Sequence, residues 1–324
     1  MTGEQGMKSD NAINESSTPA AGKRSRSLFR MLGEFFQLTK PGVVALIVFT
    51  AVVGMYLSTP GAVPLNILIL GSLGIGLAAG SAAAINHVLD QKADAIMART
   101  RHRPLPRGEL SSIEAITFAI ILGAIAMAIL AIWINALTAW LTFFSLIGYS
   151  VIYTVFLKRE TPQNIVIGGA AGAAPPVLGW AAVTGEVTGD ALLLFLIIFL
   201  WTPPHFWALA LYRVKEYERA NIPMLPVTHG SKFTRLQILL YTILLVAITL
   251  LPFATGMAGW LYLLGVSILN IIFLYSAIAL YRNYSDLLAR KTFKYSIHYL
   301  SLIFMLLLID HYRLYIMEVL QSAL

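Results

Sequence analysis

Cysteine is absent from all 324 residues. That excludes a disulfide framework, thiolate metal sites, covalent c-type haem attachment and a cysteine nucleophile. Charge is scarce as well: Asp, Glu, Lys and Arg make up 12% of the chain, against about 25% in a typical soluble domain. No apolar run ending in small residues occurs in residues 1–28, so this segment is not expected to be a signal peptide. Glu4, Asp10 and Glu15 within it argue against an organellar transit peptide.

What is abundant is apolar. The chain is 58% hydrophobic with a mean hydropathy of +0.74, which reads as an all-α integral membrane protein. A hydrocarbon core about 30 Å thick takes roughly 20 apolar residues per helix. Nine such segments are predicted, over residues 43–58, 65–88, 113–133, 137–157, 165–184, 191–212, 236–255, 260–281 and 295–316. The first is short and is expected to begin near Leu38. With nine spans, every one of the 23 Lys and Arg residues except Arg313 falls on one side. The positive-inside rule places that side and the N-terminus in the cytoplasm, with the C-terminus outside. Residues 1–28 read as a disordered polar tail, and 29–324 as a single polytopic domain. A bacterial inner (cytoplasmic) membrane is the expected location, and no nucleic-acid partner is expected.

Two inside loops are long, over residues 89–112 and 213–235. The first is introduced by Asn86, Asp90 and Asp94 and continues through Arg99 and Arg103. A helix turns about 100° per residue, so groups four apart form one stripe. Carboxylates beside hydrocarbon are costly without a partner. A divalent cation is the natural partner, with Asp90 and Asp94 as hard oxygen ligands to Mg²⁺ and Asn86 as a neutral third. Arg99 and Arg103 would then take phosphate oxygens, which guanidinium matches bidentately. The competing reading is a charged membrane-edge helix with solvated acids and headgroup-bound arginines. The Asn-Asp-Asp register favours the metal site, because an interfacial helix needs no such stripe.

The second loop sets Glu216 and Glu218 among Arg213, Lys215 and Arg219. This is either a second metal or phosphate clamp or a salt-bridged surface segment. Both loops end in proline pairs, Pro104/Pro106 and Pro223/Pro226, which hints at two related halves. In the sixth segment Pro203-Pro204 is expected to break the helix within the membrane. His205 beside it is a haem or quinone contact, a proton carrier, or a buried histidine satisfied by a freed carbonyl. Gly168-Gly169-Ala170-Ala171-Gly172 in the fifth segment is expected to permit close helix packing. Gln163 and Asn164 stand at its cytoplasmic mouth, within reach of the first loop. His87 faces off the stripe, and Asp310 and His311 lie at the far end.

Asn86-x-x-x-Asp90-x-x-x-Asp94 with Met97-x-Arg99-Thr100-x-x-Arg103-Pro104 resembles the first motif of the intramembrane (UbiA-type) prenyltransferase superfamily. Within it the chain resembles the haem-farnesylating branch, the protoheme IX farnesyltransferases. That closer resemblance rests on Leu38-Thr39-Lys40-Pro41-Gly42, Leu157-Lys158-Arg159 with Thr161-Pro162-Gln163-Asn164-Ile165, and Pro175-Pro176 with Gly179-Trp180. Pro203-Pro204-His205-Phe206-Trp207 and Ile222-Pro223-Met224-Leu225-Pro226-Val227 complete it. The motifs cover about residues 38–235, and their order makes the signal far more specific than one Asp-x-x-x-Asp.

The resemblance implies nine helices around a central cavity, capped on the cytoplasmic side by the motif loops. It implies transfer of farnesyl from farnesyl diphosphate to a vinyl group of haem b with addition of water, giving haem o and diphosphate. Mg²⁺ is the implied cofactor and haem b a substrate. Asp90 and Asp94 would hold the metal, and Arg99, Arg103 and Lys158 the departing diphosphate. Tyr149, Tyr153, Phe206 and Trp207 are candidates to face the allylic cation. Asn86, Asn164, His205, Arg213 and Lys215 are further candidate substrate contacts. Glu216 stands where the family often has Asp; it keeps the charge and changes the ligand geometry. The lipid bilayer is the surrounding partner, and haem A synthase and oxidase assembly factors are the protein partners compatible with this branch. The rival readings are a prenyltransferase for another aromatic acceptor such as 4-hydroxybenzoate, a secondary transporter, and a non-catalytic haem-binding subunit.

Overall fold

The computed structural model describes residues 27–98 and 100–313, apart from the side chains of residues 155 and 159. The predicted tail, except for its last two residues, and Arg99 lie outside the described residues. So does the end of the ninth predicted segment beyond Arg313.

Every regular element among the described residues is helical. In chain order they are α1 (Leu28–Leu38), α2 (Pro41–Leu57), α3 (Leu65–Leu89), α4 (Gln91–Ile96) and α5 (Ser112–Ile129). Then come α6 (Ala136–Ile147), α7 (Lys158–Glu160), α8 (Asn164–Ala173), α9 (Pro175–Thr184) and α10 (Gly189–Leu211). The chain ends with α11 (Val214–Arg219), α12 (Leu225–Thr228), α13 (Gly230–Ala254), α14 (Trp260–Arg282) and α15 (Asp286–His311). Two π-helical stretches, Leu130–Ile134 and Gly148–Leu157, extend α5 and α6.

Eight helices are long and apolar enough to cross a membrane, or nine if α1 and α2 count as one span bent by 54°. Each predicted segment has a helical counterpart. The surface confirms the solvent: Ile120, Trp140, Phe144, Leu264 and Ile271 point outward and are more than half exposed. Hydrocarbon accepts such side chains, and the helices satisfy their own backbone groups.

Three differences from the sequence reading have physical causes. First, α1 is a separate helix ahead of α2, buried through Glu34 and Leu38 and exposing Phe29 and Phe36. Second, α13 starts at Gly230 and α15 at Asp286, well before residues 236 and 295. Their opening turns carry Lys232 and Arg235 in α13 and Arg290, Lys291 and Lys294 in α15, because a helix continues past the hydrocarbon edge wherever its charged turns reach water. Third, Pro203 and Pro204 do not break α10. Nearly all of α10 from Trp201 to Leu211 is buried against its neighbours, and that packing keeps it one continuous helix. The one-residue interruption occurs instead at Ala174, between α8 and α9, ahead of Pro175-Pro176.

Helices α2 and α9 pack backbone against backbone. A Cβ on Gly179 would sit 1.9 Å from the Ala51 carbonyl oxygen, and one on Gly54 would sit 2.1 Å from that of Pro176. Backbones touch here because neither glycine carries a side chain. At the far end, Asp310 accepts from the backbone N–H groups of Gly259 and Tyr262 and pairs with Arg313 at 2.7 Å. His311 and Tyr312 bond the Thr59 and Gly61 carbonyls, closing that end away from the motif loops.

Candidate active site

A cavity of about 650 Å³ lies inside the bundle, with polar groups at one end and an apolar body. The acid stripe forms the polar end. Asp90 falls at the junction of α3 and α4, so the stripe does not lie on one unbroken helix. The helical register nevertheless persists: Asp90 N donates to Asn86 O at 2.9 Å, and Asp94 N to Asp90 O at 2.8 Å. Asn86, Asp90 and Asp94 are each no more than 5% exposed and all line the cavity.

Each carboxylate meets a cation from a distant part of the chain or the following loop. Lys158 Nζ lies 2.5 Å from Asp90 Oδ2, and Arg103 donates to Asp94 Oδ2 at 2.7 Å. The Thr100 hydroxyl donates to the Asp94 carbonyl and tightens the turn that presents Arg103. Asn86 donates its amide to Asp90 Oδ2 at 2.9 Å, and its oxygen accepts from Lys40 Nζ. Both ends of that amide are engaged, so Asn86 here braces Asp90.

Lys40 had no role in the residue-by-residue reading. It caps α2 with φ 52° and ψ 62°, a left-handed conformation immediately before Pro41. A residue preceding proline is normally extended, and such strain gathers at functional sites. The signal in the sequence was its position between Thr39 and Pro41, but nothing local announced the turn.

The π-helix Gly148–Leu157 carries Tyr149 and Tyr153 onto the cavity wall, with rings stacked at 5.5 Å. Its wider turn shows in Thr154, whose hydroxyl bonds the carbonyl five residues back, on Tyr149, at 2.9 Å. π-Helical turns are rare and recur at functional sites. Gly168 lets the Tyr153 ring pack flat: a Cβ there would lie 2.2 Å from it. Gly168, Gly169 and Gly172 also line the cavity, so the small residues of α8 shape a pocket as well as permitting close packing, as of Gly169 against Thr202.

The second loop takes the salt-bridged one of its two readings. Arg213 and Glu216 pair with each other at 2.7 Å, Lys215 is exposed, and none of the three is on the cavity wall. Tyr217, buried on the same short helix, lines the cavity instead. Asn164 is fully buried behind the wall and donates to the Lys158 carbonyl at 3.2 Å, a brace for that lysine. Trp207 turns away from the cavity and packs edge-on against Tyr241 at 5.3 Å, whereas Phe206 lines it. His298 is exposed on α15 and His87 is buried off the wall. His205 lines the cavity beside Trp201.

Among the described residues no three His, Cys, Asp or Glu side chains cluster as a complete metal cage. The donor set still suits Mg²⁺, which characteristically takes one or two carboxylates and completes its shell with water and substrate phosphates. Lys40, Arg103 and Lys158 share the wall with Asp90 and Asp94. Their N–H donors could turn to an anion that would arrive with a metal.

A membrane-embedded helical bundle with this acid-and-base end and an apolar body defines an intramembrane prenyltransferase architecture. The UbiA prenyltransferase family matches residues 47–307, and the chain belongs to that family. The protoheme IX farnesyltransferase of Nitrosospira multiformis is 62% identical over 279 residues, covering 86% of this chain and 94% of its own. That of Saccharophagus degradans is 61% identical over 281 residues, covering 87% and 93%. Among solved structures, a digeranylgeranylglyceryl phosphate synthase superposes with a TM-score of 0.75 over 88% of this chain and 99% of its own, at 18% identity. A UbiA homologue from Archaeoglobus fulgidus, solved with DMAPP and Mg²⁺, gives 0.62 over 85% and 99%, also at 18%.

Proposed function

We propose that this chain transfers farnesyl from farnesyl diphosphate to a vinyl group of haem b, with addition of water, giving haem o and diphosphate. The observation that carries this is the identity of about 60% over most of the chain to relatives named protoheme IX farnesyltransferase. The cavity supports it by joining a polar end suited to a diphosphate with an apolar body suited to two apolar substrates.

In this reading Asp90 and Asp94 hold Mg²⁺ together with the diphosphate, and the metal when bound draws charge from the leaving group. Arg103 and Lys158 exchange their carboxylate partners for phosphate oxygens and stabilise the departing anion. Arg99 belongs to the same phosphate set. Lys40 and Asn86 hold Asp90 in place. Tyr149, Tyr153 and Phe206 face the allylic cation, with ring quadrupoles that favour positive charge. Asn164 keeps the Lys158 backbone where its amine meets Asp90. Arg213, Lys215 and Glu216 form an outer rim that meets the diphosphate only if the second loop closes. The basic loops lie on the cytoplasmic face of a bacterial inner membrane, the side from which both substrates enter.

The test is a membrane assay with haem b, farnesyl diphosphate and Mg²⁺, with pigments separated by chromatography and weighed by mass spectrometry. A product heavier by one farnesyl group plus one hydroxyl, and lost on chelation with EDTA, is expected. Prenylation of 4-hydroxybenzoate with haem b untouched would overturn the acceptor and keep the class.

A further inference from the structure

His205 is held more firmly than a wall residue needs. Its ring lies between Trp201, at 4.2 Å and 19°, and Phe293, at 4.6 Å and 29°. Phe206 meets it edge-on at 5.1 Å. Its Nδ1 lies 2.7 Å from Ser296 Oγ across 91 residues of sequence. Ser296 is fully buried, and its backbone carbonyl also accepts from Trp201 Nε1 at 2.7 Å. One serine on α15 therefore positions the rings of both Trp201 and His205.

The hydrogen bonds fix the tautomer. Ser296 Oγ also lies 2.7 Å from the Phe293 carbonyl oxygen. A carbonyl only accepts, and two oxygens at that distance repel without a proton between them. The single hydroxyl proton is thus spent on Phe293. Nδ1 must then be the donor to Ser296, and Nε2 carries the lone pair. No partner for Nε2 occurs among the described residues, and His205 is the one histidine among them on the cavity wall. It stands six residues before the end of α10, a depth of about 9 Å at 1.5 Å per residue.

A neutral imidazole whose other nitrogen donates to a fixed acceptor is the arrangement of a metal-ligating histidine. Haem iron is commonly held by one such nitrogen. We infer that His205 Nε2 is an axial ligand to the iron of the haem acceptor, and that Ser296 is the positioning residue that holds the imidazole in the ligating tautomer. This rests on haem b being the acceptor. The ligand would anchor the macrocycle in the apolar body, leaving its rim to be presented to the tyrosine-lined wall. No bond is made or broken by His205 in the transfer itself, so its contribution is to hold the acceptor in place.

The test uses the full chain in detergent, titrated with ferric haem b without farnesyl diphosphate and read by absorption and electron paramagnetic resonance. Wild type is expected to show a nitrogen-ligated spectrum. In His205→Gly that signature should vanish, haem affinity should fall at least tenfold, and added imidazole should restore the signature. Ser296→Ala should retain ligation but weaken affinity several-fold, whereas Ser296→Thr, which keeps the hydroxyl, should rescue it. Haem bound with the same spectrum and affinity in wild type and His205→Gly would overturn the ligand assignment and leave the acceptor reading intact. No haem bound by folded wild type, together with turnover of 4-hydroxybenzoate, would overturn both.

Discussion

Lys158 and Asp90 are 68 residues apart in sequence and 2.5 Å apart across the polar end of the cavity. One comes from the end of a π-helix and the other from a helix junction. Their pairing joins the two motifs that sequence spacing keeps separate. With Arg103 on Asp94, it pairs both buried carboxylates with a cation.

Removing either partner should therefore separate charge from catalysis. Asp90→Asn is expected to lower turnover by about 10²-fold or more while the protein still folds and inserts. Lys158→Met should do the same by withdrawing the cation that takes up the leaving group. Steady-state rates in membranes, beside a detergent melting curve for each variant, check both. Near wild-type haem o formation by Asp90→Asn would remove the metal role.

Lys40 trades backbone comfort for position. Its left-handed φ before Pro41 costs about 1–3 kcal/mol in a residue with a side chain, and glycine adopts that conformation freely. Lys40→Gly should thus leave the melting temperature equal or higher, yet slow turnover about 10- to 100-fold through loss of the Asn86 brace. A lower melting temperature with full activity would show that Lys40 is there for the fold.

Gly168 makes room for the Tyr153 ring. Gly168→Ala places a Cβ 2.2 Å from that ring, and the ring must turn into the cavity. Misplacing a positioning group by about 1 Å costs up to about 10²-fold in rate. The variant should be folded, with reduced turnover and an altered preference between prenyl diphosphates of different length, measured by product chromatography.

Gly179 tests the scaffold instead of the site. Its Cβ would overlap the Ala51 backbone oxygen, which has no side chain to swing aside. Gly179→Val is expected to destabilise by at least about 1–3 kcal/mol, seen as a lower melting temperature in detergent. Gly33→Ala, on exposed α1 with nothing near its Cβ, is the control and should not lose stability.

Much of the bundle was legible in advance because hydropathy sums over neighbours along the chain. Each predicted apolar segment has its helix, and the Asn86-Asp90-Asp94 register reaches one wall even though the helix axis changes at Asp90. At the prolines of α10 a local rule meets a packed environment: the ring removes a hydrogen bond, but the buried neighbours keep the helix unbroken. Tyr217 was passed over for Glu216 because charge stood out in the sequence, although the short helix turns its apolar face to the cavity. Lys40 and the π-helix were invisible, since neither a left-handed turn at a lysine nor an extra residue per turn leaves a compositional trace.

The sequence by itself determined that the chain is helical and membrane-embedded, where its apolar stretches lie, and which acids share a register, because all of these follow from properties summed or repeated over a few turns. Only the tertiary structure decided which cation meets which acid, that Arg213 pairs with Glu216, and that Ser296 holds His205. Those pairings depend on contacts of a few ångströms between groups that the chain separates by tens of residues, and no local pattern encodes them.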